Sequence, residues 1–128
     1  MQWLSKYTDY SYALLRMISG AIFLFHGLQK IFGVLTEGQP PIGSQLWLGG
    51  MIELICGIAI VIGFRTRWAA FLASGTMAVA YFQFHWKFQF GPQFFPAVNG
   101  GDAAILYCLV FLYIACRGSG IWAADKPG

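Results

Sequence analysis

The sequence predicts an all-α integral membrane protein, a bundle of four transmembrane helices with both termini in the cytoplasm. Three observations predict it. First, 58% of the 128 residues are hydrophobic and only 10% are charged, with a mean hydropathy of +0.61. A soluble domain carries about 25% charged residues, and a small one needs polar side chains to cover its high surface-to-volume ratio. Second, the apolar residues fall into four long runs rather than being dispersed. Third, the tryptophans stand at the ends of those runs. The same composition excludes a disordered chain, which would be poor in apolar and aromatic residues. A formal net charge of +3, spread along the chain, does not suggest a nucleic-acid partner.

The runs define one membrane domain, residues 1–128, with spans at about 12–32, 46–64, 68–84 and 102–117. Each approaches the roughly 20 apolar residues that cross a bilayer. They are too long and too uniformly apolar for barrel strands. The segment after the first span contains Gly38, Pro40, Pro41 and Gly43, which favour a turn. Phe64-Arg65-Thr66-Arg67 forms a tight charged turn after the second. Gly91, Pro92, Pro96, Gly100 and Gly101 interrupt the chain before the fourth. The first apolar run begins after residue 10 and is too long for a signal-peptide core, so no cleavable signal is expected.

Trp47, Trp68 and Trp86 fall at span ends, and Trp3 and Trp122 flank the first and last spans. Tryptophan favours the membrane–water interface. An even number of spans puts both termini and the 65–67 turn on one side. That side carries Lys6, Arg65, Arg67, Arg117 and Lys126, whereas the opposite loops clearly carry only Lys87. The positive-inside rule makes the cation-rich side cytoplasmic. Cys56, Cys108 and Cys116 lie within spans and form no CxxC pair, so they read as small packing residues rather than exchanging thiols.

Charged residues within apolar spans are expensive and are functional candidates. Glu53 is the clearest, set about seven residues into the second span between Met51, Ile52, Leu54 and Ile55. Gly49, Glu53 and Gly57 share a helix face, where small residues permit close helix approach. His26 and Lys30 are four residues apart near the outer end of the first span, at a depth matching Glu53. Glu53, His26 and Lys30 are therefore the candidates for proton exchange or for a buried ion pair, although Lys30 also has the length to snorkel to the interface. Asp102 opens the fourth span and His85 closes the third, so both reach the same outer level. Asn99 or Asp102 also suits a helix cap.

Arg16 lies near the inner end of the first span, placed to snorkel or to pair with Asp9 or Asp125. Ala70, Ser74 and Ala78 form a small-residue stripe suited to tight packing. From Phe82 to Phe90 aromatics occupy every even position. That period of two is strand-like, but with no sheet to join it reads as a frayed helix end entering the interface. His85, Trp86 and Asp102 are the candidates for an outer-side pocket, with this aromatic segment lining it for a flat hydrophobic ligand such as a quinone.

The chain resembles the DoxX family of small four-helix membrane proteins over nearly its whole length. The resemblance rests on Leu15-Arg16, on Phe25-His26-Gly27-Leu28-Gln29-Lys30-Ile31-Phe32-Gly33, and on Gly50, Glu53 and Gly57. It continues through Gly63, Arg65-Thr66-Arg67-Trp68-Ala69-Ala70, Asn99-Gly100-Gly101-Asp102 and Gly118-Ser119-Gly120-Ile121-Trp122 with Asp125. The family's last helix usually opens Asn-Gly-Glu, and here an extra Gly precedes the shorter Asp102. The resemblance implies a bacterial-type cytoplasmic membrane location. Its relatives include a subunit of a thiosulfate:quinone oxidoreductase, so it implies a membrane subunit of a quinone-linked redox system, with quinone as the one cofactor suggested. The alternatives are a non-catalytic accessory or assembly subunit, haem ligation by His26 and His85, and a transporter. No metal-ligand cluster or nucleotide motif is read from the sequence. The expected partners are the bilayer and either other membrane subunits or further copies of the chain.

Overall fold

The computed structural model describes residues 1–126; of the predicted domain 1–128, residues 127–128 lie outside the described residues. The chain is helical, with no strand among the described residues. The helices are α1 (Thr8–Phe32), α2 (Gln45–Ile62), α3 (Thr66–Ala80), the single turn α4 (Pro96–Asn99) and α5 (Asp102–Arg117). A 3₁₀ turn, Gln2–Tyr7, runs directly into α1. Tyr81–Trp86 continues α3 as a π-helical segment, and a second 3₁₀ turn spans Pro92–Phe94.

Local sequence explains most of the ends. Gly33 ends α1 in the left-handed region at φ 69°, where its N–H reaches back to Leu28 and Gln29 carbonyls. Gly63 does the same for α2 at φ 72°. The Ser44 hydroxyl caps the start of α2 by accepting from the Trp47 N–H at 3.2 Å. The aromatic segment at 82–90 has no ladder to join and coils instead: Lys87 and Phe88 adopt left-handed conformations at φ 55° and 56° and reverse the chain.

The helices pack as two antiparallel pairs, α1 on α2 and α3 on α5, joined by contact between α2 and α3. The first pair is built on glycine. A Cβ at Gly27 would stand 2.5 Å from the Leu54 nitrogen, and one at Gly57 would stand 2.8 Å from the Leu24 Cα. The backbones therefore touch directly, as small residues allow in lipid. The second pair is built on alanine: Ala70 and Ala73 are fully buried, and the Ser74 hydroxyl donates to the Cys108 carbonyl at 2.7 Å. Phe23 and Phe111 meet between the pairs at 4.8 Å between ring centres and form the core with Ile60 and Ile114.

The outer faces are apolar. Ile18, Ile22, Ile55, Phe71, Leu106 and Leu109 are all exposed. A water-soluble protein rarely leaves so continuous an apolar surface open. Gln2–Phe32 and Gln45–Ile62 are long and apolar enough to cross a membrane. The other two long helices are shorter, 15 residues in α3 and 16 in α5, which for α5 is about 24 Å at 1.5 Å per residue.

One end of the molecule is closed by charge and backbone hydrogen bonds. Arg16 neither snorkels nor pairs with Asp9 but is fully buried. Its guanidinium donates to the carbonyls of Ile60 (3.1 Å), Ile121 (3.0 Å), Trp122 (2.7 Å) and Ser119. Asp125 accepts from the Arg65 and Thr66 N–H groups at 2.8 and 2.9 Å and from the Thr66 hydroxyl at 2.9 Å. This places a carboxylate on the first turn of α3, where the helix dipole favours it. The Thr66 N–H does most to hold the Asp125 carboxyl below its ordinary pKa, helped by the Arg65 N–H, the Thr66 hydroxyl and the Arg16 charge against partial desolvation. Arg67 donates to the last carbonyls of α5. Asp9 pairs instead with Arg117, at 3.3 Å.

Candidate functional site

At the opposite end the two helix pairs line a cavity of about 750 Å³ that is open on one side. Every long helix contributes to its wall. Phe23, His26 and Lys30 come from α1, Gly49, Ile52 and Glu53 from α2, and Gly75, Thr76 and Met77 from α3. His85 follows from the π-helical segment, and Ala103, Ala104 and Tyr107 from α5. Leu46, Leu48, Phe71, Leu72 and Val79 also line it while remaining exposed, so they form an apolar rim on the outer surface. A site of this size, mostly apolar with a few polar groups, has the usual form of a small-molecule pocket.

Glu53 is the most constrained polar group there. It is 3% exposed. Its Oε1 accepts from the Lys30 ammonium at 2.7 Å. Its Oε2 is buried and has no hydrogen-bond partner among the described residues. Local packing aims this pair. Lys30 lies along α1 where α2 presents Gly50, and a Cβ at Gly50 would stand 2.7 Å from the Lys30 Cβ. Glycine at 50 thus lets the lysine stem pass and its ammonium reach the acid one turn on. His26, one turn before Lys30, is exposed, and its ring stands edge-on to Tyr107 at 6.4 Å.

Four of the six sequence candidates therefore share one cavity wall: Glu53, Lys30, His26 and His85. The structure does not bring Trp86 or Asp102 into it. The Trp86 ring turns into an aromatic cluster with Phe88 at 5.0 Å and Phe82, Phe90 and Phe94 at 5.7 Å, and its indole N–H donates to the Gln89 carbonyl. The chain reverses at Lys87 and Phe88, which folds Phe82, Trp86, Phe88, Phe90 and Phe94 on one another; of the aromatic segment only Phe84 lines the cavity, beside His85. Asp102 is exposed at the first turn of α5. Asn99 makes the local turn instead, accepting the Gly101 N–H at 2.8 Å and donating to the Tyr81 hydroxyl at 3.2 Å.

Sequence reasoning missed Tyr107 and Gly75. A tyrosine hydroxyl within an apolar span was a usable signal for the first, although Tyr113 in the same span offers the same signal. Gly75 left none, because it is overshadowed by the alanines that pack α3 on α5.

These features can be set beside known proteins. An uncharacterized protein of Haemophilus influenzae (strain ATCC 51907 / DSM 11121 / KW20 / Rd) is 40% identical over 127 residues, covering 96% of this chain and 94% of the relative. No solved structure matches. The DoxX family model matches residues 11–86, which include Arg16, His26, Lys30, Glu53 and the 65–67 turn, and the chain belongs to the DoxX family.

Proposed function

We propose that the protein is a multi-pass subunit of a quinone-linked redox system in a bacterial-type cytoplasmic membrane, with the cavity as its quinone site. In this reading the four long helices cross the bilayer at about 12–32, 46–64, 68–84 and 102–117, with both termini and the 65–67 turn in the cytoplasm. The observation that carries the reading is Glu53: a buried carboxylate, held on one oxygen by Lys30 and unpartnered on the other, in the wall of an apolar cavity. The exposed apolar rim supports entry from the lipid.

A bound quinone would supply two-electron, two-proton redox chemistry. Glu53 and Lys30 would hold its head group, and Ile52, Met77 and Ala104 would exclude water from around it. Lys30 donates to Glu53 Oε1 at 2.7 Å and so holds the carboxylate in the cavity wall. His26, exposed and one helical turn from Lys30, would pass a proton between that pair and the surface. The test is quinone binding or turnover by the purified protein; no change on Glu53→Gln and on His26→Ala removes this reading.

A second reading is favoured by the way Lys30 and Glu53 join α1 to α2 across Gly50. Such a pair also serves packing alone, in a non-catalytic accessory or assembly subunit. Isolation in mild detergent separates the two. Co-purification with a larger complex, and no quinone binding by the chain alone, favours the accessory role.

A further inference from the structure

We propose that the cavity selects a lipid-soluble ligand bearing a hydroxyl, which donates to Glu53 Oε2, and disfavours the matching carbonyl compound. This rests on the reading of the cavity as a quinone-type site and specifies which redox form it holds.

The polarity of the contact follows from the ion pair. With an ammonium 2.7 Å from Oε1, Glu53 is a carboxylate. A carboxylate accepts hydrogen bonds and donates none. Oε2 is buried without a partner, so the group that completes it must carry a proton. The nearby hydroxyl of Thr76 is already spent on its own helix, donating to the Leu72 carbonyl at 2.8 Å. The Gln45 amide donates to Gln83. A ligand hydroxyl satisfies Oε2. A ligand carbonyl in the same position sets one acceptor against another and leaves Oε2 unpaired. Sites built around a hydroxyl discriminate strongly against analogues that lack it.

The room for such a ligand is marked by two glycines. Gly20, Gly27, Gly50 and Gly57 each have a neighbour within 3.0 Å of where a Cβ would stand, so packing explains them. Gly49 on α2 and Gly75 on α3 have nothing within 4 Å, and both line the cavity. A glycine inside a helix weakens it relative to alanine, and at these positions it serves no contact within the chain. Each widens the cavity, Gly49 one helical turn from Glu53.

The experiment is equilibrium binding of three probes to the full chain in lipid nanodiscs. The probes are a short-tailed benzoquinol, the matching benzoquinone, and the redox-inert 4-octylphenol. The quinol and the phenol should bind about tenfold or more tighter than the quinone, the effect of one buried hydrogen bond. Glu53→Gln should bring all three within about twofold, because an amide both donates and accepts. Gly75→Leu should weaken all three with its thermal midpoint retained, which keeps the proposal testable if Glu53→Gln does not fold. Quinone binding as tight as quinol overturns this proposal and leaves the quinone site standing. Binding of the phenol alone supports the hydroxyl site and overturns the quinone reading. Failure of all three probes to bind overturns both.

Discussion

Arg16 and Glu53 are both charges in apolar spans, and the fold treats them differently. Glu53 receives one countercharge, from Lys30. Arg16 spends its planar set of donors on four carbonyls, three of them in the segment after α5. A buried acceptor left unpaired costs about 1–3 kcal/mol. Arg16→Lys should therefore lower stability by several such increments, since one ammonium cannot span that fan of oxygens. The check is the thermal midpoint in detergent, with limited proteolysis after residue 117 as a readout of the released segment. A midpoint equal to that of the parent protein contradicts this role. Asp125 gives a pH signature. Its folded carboxyl is held below the ordinary value, mainly by the Thr66 N–H. Its contribution is thus fully present above the unfolded carboxylate pKa of about 3.9, and is lost as pH falls through the lower folded value. The midpoint gap between the parent and Asp125→Asn should be constant near neutral pH and close on acidification. At this scale Glu53, His26 and Lys30 were legible because a polar side chain in an apolar span stands out. The partners of Arg16 were not, because backbone carbonyls leave no trace in a sequence.

Among the helices, glycine has two opposite uses, and substitution separates them. Gly27 lies against the Leu54 and Gly50 backbones, so Gly27→Ala forces α1 from α2. Overpacking of this kind costs about 1–3 kcal/mol. Gly49→Ala and Gly75→Ala meet open space and gain helix propensity, up to about 1 kcal/mol. The expected order of thermal midpoints is Gly75→Ala at or above the parent protein and Gly27→Ala below it. The reverse order would place the close helix contact elsewhere. Helix positions were largely legible from breakers and caps such as Ser44, Gly33 and Gly63. The form of 81–90 was not: alternation of aromatics predicts neither a π-helical turn nor the reversal at Lys87. Those depend on which aromatic rings find one another.

For the molecule as a whole, the end closed by Arg16, Asp125 and Arg67 gathers the start of α1, the 65–67 turn and the C-terminal segment. The cavity lies at the other end. If the closed end is cytoplasmic, a fluorescent-protein fusion at the C-terminus should glow. An alkaline phosphatase fused within 36–44 should be active, because that loop would be on the outside. Exchange of those two outcomes inverts the orientation and moves the cavity to the cytoplasmic leaflet.

The sequence by itself determined the surroundings and the elements of this protein. Scarce charge, four apolar runs and local breakers act on the chain whatever its packing, and hydropathy is a property of composition. The family was readable for the same reason, in motifs spread along the chain. Matching depth offered Glu53 either Lys30 or His26 as a partner, and tertiary structure decided for Lys30. The cavity lies between the pairs because α1–α2 and α3–α5 pack tightly within themselves and touch each other less, and Lys30 reaches Glu53 because Gly50 leaves space for its stem. Trp86 and Asp102 sit at the right depth by sequence and are turned from the cavity by the reversal at Lys87 and the exposed start of α5. Depth in a span is a one-dimensional property, whereas the direction a side chain faces depends on helix rotation and on the neighbours it meets.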